Sequence, residues 1–144
     1  MNTHETYVSL EVAKLLKEAG FDWECKKIHF KTGYKGNDDV WELEDNYKNT
    51  KRVLELDYCL LAPTLDVAQR WLREVKHIDV IANRNSSPLA HLQFLYNPEY
   101  DFDIIDNDGK LVTYYPMGET FDTYEEALEA GIKKCLEIIL EKGK

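Results

Sequence analysis

The chain has 144 residues, an apolar fraction of 44% and a formal charge of −9. That length makes one domain with one core the default, and the acidic balance argues against a sequence-independent grip on nucleic acid, which needs clustered Lys and Arg. The apolar runs are too short to span a membrane, and Met1-Asn2-Thr3-His4-Glu5 lacks the basic and apolar regions of a secretory signal, so the chain reads as cytoplasmic.

In chain order, Ser9 is a good N-cap and Glu11 suits a first helical turn. Val12, Leu15, Leu16 and Ala19 form one stripe, and Gly20 takes the position after the helix, where Phe21 can fold back on Leu16 in a Schellman ending. A helix over about 9–19 follows. Residues 21–52 are the least regular part and read as a loop-rich flap or hairpin over the domain edge. Within them Ile28 and Phe30 alternate with His29 and Lys31, Gly33 and Gly36 bracket a turn, and Val40-Trp41-Glu42-Leu43 suggests a second short strand. Trp23, Tyr34, Trp41 and Tyr47 load this segment with aromatic rings.

Leu54, Leu56, Tyr58 and Leu60 alternate with Val53, Glu55, Asp57 and Cys59, which predicts a half-buried strand. Pro63 and Thr64 open a helix over about 64–77, striped by Leu65, Ala68, Leu72 and Val75 and widened by Val67 and Trp71. Trp71 is expected in the core, and Arg70 on a solvated face between Asp66 and Glu74. His77 ends the helix, and Ile78, Val80 and Ile81 read as a strand over 78–82. Together these elements suggest a right-handed βαβ unit. After a loop over 83–88, Leu92, Phe94 and Tyr96 suggest an edge strand. Tyr100, Phe102 and Ile104 then alternate with Asp101 and Asp103, Asp106-Asn107-Asp108-Gly109 makes a hairpin turn, and 111–115 returns. Thr123-Tyr124-Glu125-Glu126 is a capping box that begins a helix over about 123–142. Ala127, Ala130 and Gly131 would let that helix approach its neighbours closely. The fold class is α+β: a mainly antiparallel sheet of about 4–5 strands, with two or three helices packed on it, in a single domain.

Three pieces carry a resemblance. Val8-Ser9-Leu10-Glu11-Val12-Ala13-Lys14-Leu15-Leu16 precedes Gly20-Phe21. Ala62-Pro63-Thr64-Leu65 leads to Trp71-Leu72-Arg73-Glu74. Thr123-Tyr124-Glu125-Glu126-Ala127 runs to Cys135-Leu136. Together they resemble a group of small uncharacterised proteins from phages and prophages of gut Bacteroides-type bacteria. The resemblance covers roughly a third of the chain and implies a host-cell interior and a viral origin. It supplies no catalytic residues.

Few residues stand at spacings that chemistry requires. An EF-hand reading of 104–115 fails because Ile104 and Tyr115 fall where carboxylates are needed. His4, His29, His77 and His91 have no zinc spacing with one another or with a cysteine pair. Of Cys25, Cys59 and Cys135, only Cys25 is a candidate reactive thiol, through Lys26 and Lys27 beside it. No cofactor is implied. The leading expectation is a non-enzymatic module that binds a protein partner through Trp23, Trp41 and Tyr47. One rival is an enzyme holding a divalent metal at Asp101, Asp103 and Asp106. The other is an acidic decoy that mimics DNA, for which Glu125, Glu129, Glu137 and Glu141 form a row interrupted by Lys133 and Lys134. A homodimer is compatible with any residual apolar strip on the first or last helix.

Overall fold

The computed structural model describes residues 6–32, 40–47, 49–84, 100–111 and 120–143. Their elements are α1 (Leu10–Ala19), β1 (Lys27–Lys31), β2 (Trp41–Asp45), α2 (Thr50–Glu55), β3 (Cys59–Leu61), α3 (Leu65–Val75), β4 (Asp79–Arg84), β5 (Tyr100–Ile105) and α4 (Tyr124–Lys142). The class is α+β, and every strand pairing among the described residues is antiparallel. The strands do not form one sheet. They divide into a three-stranded sheet, ordered β2-β1-β3, and a two-stranded sheet of β4 and β5. The chain forms two compact units, residues 1–68 with 136–144 and residues 69–135, passing from one to the other within α3 and returning within α4.

In the first unit α1 forms from purely local signals. The Ser9 hydroxyl accepts from the Val12 N–H at 3.2 Å. At the other end Gly20 adopts φ 96°, and the Phe21 N–H donates back to the Leu16 carbonyl at 2.9 Å. Val12, Ala13 and Leu16 are buried along the inward face.

The segment expected as a peripheral flap supplies the middle strand of the sheet. β1 pairs with β2 on one side and β3 on the other. Ile28 is buried, and His29 is buried with its Nε2–H donating to the Val8 carbonyl at 2.9 Å. A bond to the chain 21 residues upstream draws the strand inward.

The strand expected over Leu54–Leu60 is corrected. Its first part is helix α2, capped by Asn49, whose side-chain oxygen accepts from the Arg52 N–H at 2.8 Å. Val53 and Leu56, three apart and both buried, supply a helical face that the period-2 alternation masked. Only Cys59–Leu61 enters the sheet, opposite Ile28–Phe30. The βαβ unit is likewise overturned, because β3 and β4 belong to different sheets.

The second unit begins as α3 continues. Thr64 caps this helix through its hydroxyl to the Val67 N–H at 3.3 Å. Trp71 and Leu72 are fully buried. A buried Trp removes about 150–250 Å² from water, roughly 4–6 kcal/mol as an upper bound. Val75, expected on the same stripe, is instead 44% exposed. It lies in the last turn, just before His77 takes φ 60° and the Ile78 N–H folds back to the Leu72 carbonyl at 3.1 Å. Arg70 pairs with Glu74 at 3.3 Å on an exposed face, as the spacing predicts.

β4 and β5 run in register from Asp79↔Ile105 to Arg84↔Tyr100. Val80, Ala82, Phe102 and Ile104 are buried on one face, as period-2 burial requires. Gly131 of α4 lies directly over that face, and a Cβ there would stand 2.7 Å from Val80 Cγ1 and 2.9 Å from Phe102 Cγ. This is the close approach expected of the small residues in the last helix. Thr123 caps that helix through its hydroxyl to the Glu126 N–H at 3.1 Å.

The hairpin turn forms as the sequence predicts. The Asp106 N–H donates to the Lys110 carbonyl at 2.9 Å, Gly109 takes φ 79°, and Ile105 bridges Leu111. The loop expected over 83–88 is corrected at its start, where Asn83 and Arg84 continue β4 opposite Asp101 and Tyr100; its remainder, the Gly33–Gly36 turn, the 92–96 strand and the 112–115 return lie outside the described residues.

Candidate functional site

Trp41 and Leu43 lie on β2, and Tyr47 lies two residues beyond its end. Among the described residues β2 is an edge strand whose inner neighbour is β1, in the register Trp41↔Lys31, Leu43↔His29 and Asp45↔Lys27. Lys27 Nζ donates to Asp45 Oδ1 at 2.6 Å, pinning one end of the pair. That bond holds the exposed Asp45 carboxyl below its ordinary range and the Lys27 ammonium above its own.

The surface is open and mixes exposed apolar side chains with the exposed carboxylates of Glu42, Glu44 and Asp45. Tyr47 is 89% exposed, Val40 52% and Leu43 44%. The Tyr47 hydroxyl reaches Asp45 Oδ2 at 3.4 Å, which leans its ring back along the strand. Trp41 is half-buried beneath Lys14, whose ammonium lies 5.7 Å from the ring centroid. Its indole N–H is buried and meets no acceptor among the described residues, an unfavourable state for a buried donor. Trp23 precedes β1 and tilts against the buried Phe21, with ring centroids 6.4 Å apart.

Cys25 is not a reactive thiol. It is buried, its Sγ donates to the Trp23 carbonyl at 3.4 Å, and burial together with the nearby Glu24 charge pushes its pKa up to about 12. The expected influence of Lys26 and Lys27 is overridden by desolvation. Cys25 lines a cavity of about 200 Å³ with Tyr7, Glu24, Lys26, Pro63 and Val67. A thiol held protonated gives that cavity no nucleophile. Burial also pushes the Cys135 thiol up to about 12.

The second unit holds the carboxylates of the metal rival. Asp101 and Asp103 share the solvent face of β5. Asn83, opposite Asp101, donates to Asp103 Oδ2 at 2.9 Å and also hydrogen-bonds Asp101. Partial burial, then the Asp103 charge, raises the Asp101 carboxyl above its ordinary range despite that bond. Asp106 stands apart in role: its Oδ1 accepts from the Asp108 and Lys110 N–H groups at 2.9 Å, holding the turn. Among the described residues no three His, Cys, Asp or Glu side chains are grouped as metal ligands, and no helix is long and apolar enough to cross a membrane. No protein-family model, curated protein or solved structure matches the chain.

Proposed function

We propose that the chain is a non-enzymatic protein-binding module, of phage or prophage origin, acting in the host-cell interior through Trp41, Leu43 and Tyr47 on and just beyond β2, together with Trp23 ahead of β1. The observation that carries this reading is the exposure of Leu43 on β2 and of Tyr47 just beyond its end, at the sheet edge among the described residues. Trp and Tyr are enriched among the few residues that carry most of the energy of an interface. Trp41 contributes the accessible part of a large, half-buried ring. The high thiol pKa of Cys25 removes the most obvious nucleophile beside this surface.

The test is affinity capture from host lysate with the wild type beside a Trp23→Ala/Trp41→Ala variant, its fold checked by circular dichroism. The reading expects a protein retained by the wild type and lost by the folded variant. Equal retention by both, or no retention by either, overturns it.

One observation favours a second reading. Asp101 and Asp103 converge on Asn83 and could share a divalent cation. Mg²⁺ or Mn²⁺ titration, monitored by thermal stability, tests this. A saturable rise abolished by Asp103→Asn supports a metal site, and a flat response removes it.

A further inference from the structure

Among the described residues β2 pairs with β1 alone, and its other backbone edge has a definable direction. The Thr32 N–H donates to the Val40 carbonyl at 2.8 Å, and the Asn46 N–H donates to the Lys26 carbonyl at 2.8 Å. Antiparallel ladders alternate, so residues 40, 42, 44 and 46 turn their backbone groups toward β1. Trp41, Leu43 and Asp45 therefore turn theirs away from the sheet, at the outer edge of the order β2-β1-β3. Side chains alternate in the same way. Glu42 and Glu44 share one face with Phe30 and Ile28, while Trp41 and Leu43 share the other with Lys31 and His29.

We infer that this edge accepts an extended basic segment of a partner protein as an added antiparallel strand, with Lys or Arg opposite Glu42 and Glu44 and an apolar residue opposite Leu43. This deepens the protein-binding reading and rests on it. The guest residue facing Leu43 exchanges two backbone hydrogen bonds with it, and its side chain covers an apolar side chain that is 44% exposed. The guest residues facing Glu42 and Glu44 occupy the positions without mutual hydrogen bonds. Cα atoms there stand about 4.5 Å apart, the closest cross-strand approach. Charge complementarity is thus strongest at the closest pairs.

The same charges reject other occupants. A second copy of β2, turned antiparallel about Leu43, would set Glu42 against Glu44 at both close pairs. Acidic residues on an edge strand normally guard against indiscriminate pairing. Here the guard leaves basic strands admissible, and the formal charge of −9 draws them in.

The test uses short synthetic peptides with the full-length chain, read by fluorescence anisotropy at near-physiological salt. One peptide alternates Lys and Leu, one alternates Glu and Leu, and one has the Lys/Leu composition in blocks. The alternating Lys peptide is expected to bind the wild type, and the other two are not. Glu42→Lys/Glu44→Lys should lose the Lys peptide and gain the Glu peptide. Leu43→Pro keeps every charge and every bond to β1 but removes one outward N–H and the leucine side chain, so binding should fall by at least about tenfold, the loss of roughly one hydrogen bond, and by more than in Leu43→Ala, which keeps the N–H. If the block peptide binds equally well, or folded Leu43→Pro binds undiminished, attraction is unspecific and strand addition is overturned. If no peptide binds while lysate capture still depends on Trp23 and Trp41, this inference falls and the protein-binding reading stands. If capture fails as well, both fall.

Discussion

Gly131→Ala sets two known effects against each other. In an ordinary helix interior the change gains about 1 kcal/mol, because alanine loses less backbone entropy and shields the helix better. At this position the new methyl would stand 2.7 Å from Val80 Cγ1, 2.9 Å from Phe102 Cγ and 3.1 Å from Phe102 Cβ. Neither neighbour can swing into solvent, since Val80 and Phe102 are both buried under the helix. Overpacking of this kind costs about 1–3 kcal/mol, and two contacts below the normal range with confined side chains put it near the upper end. Net destabilisation is therefore about 2 kcal/mol, or a fall in Tm of about 5–8 °C for a protein of this size. Thermal unfolding followed at 222 nm, with urea titration as a check, measures it. Ala130→Gly serves as the control, losing about 1 kcal/mol from propensity alone. A Gly131→Ala variant as stable as the wild type, or more so, would refute the packing of α4 on the β4–β5 face.

Three further outcomes are expected. Asn49→Ala should cost about 1 kcal/mol by removing the cap of α2, measurable as a lowered urea midpoint at unchanged m-value. Cys25 and Cys135 should resist a thiol reagent at pH 8 until the chain is unfolded. Because their folded pKa values lie near 12 and above those of the free thiol, the unfolded chain loses these protons first as pH rises above about 9, so stability should fall through that alkaline range. Asp101 has a raised folded pKa, so stability is highest below its unfolded value and declines as pH rises through the carboxylate range. Asp101→Asn should remove that decline and leave the chain a few tenths of a kcal/mol more stable at neutral pH, a small effect because the group is largely solvated and screened.

Elements built from neighbouring residues were legible in the sequence. Ser9, Gly20 and Phe21 bracket α1 within a dozen residues, and each makes the bond its position implies. The 100–105 alternation and the Asp106–Gly109 turn are local for the same reason. Elements settled by distant partners are not legible in this way. α2 is short, too short to persist on propensity alone. It holds because Val53 and Leu56 are buried and Lys17 of α1 donates to the Leu56 carbonyl at 3.3 Å. β1 became the central strand through His29 and the Val8 carbonyl, a pairing no window of adjacent residues contains. Periodicity says that a strand has two faces and is silent on which strand it joins, so the division into two sheets was not readable. The same holds for the candidate surface. The sequence disclosed an excess of aromatic residues in 21–52, but the edge position of β2 and the outward direction of its Trp41, Leu43 and Asp45 backbone groups follow only from the register.

A photo-crosslinker placed at Tyr47, and separately at the exposed Tyr124 of α4, tests the central claim most directly in host lysate. The account predicts a discrete protein adduct from position 47 that excess unlabelled wild-type chain suppresses, and no such adduct from position 124. The same adducts from both positions, or none from position 47, would contradict a binding surface at β2.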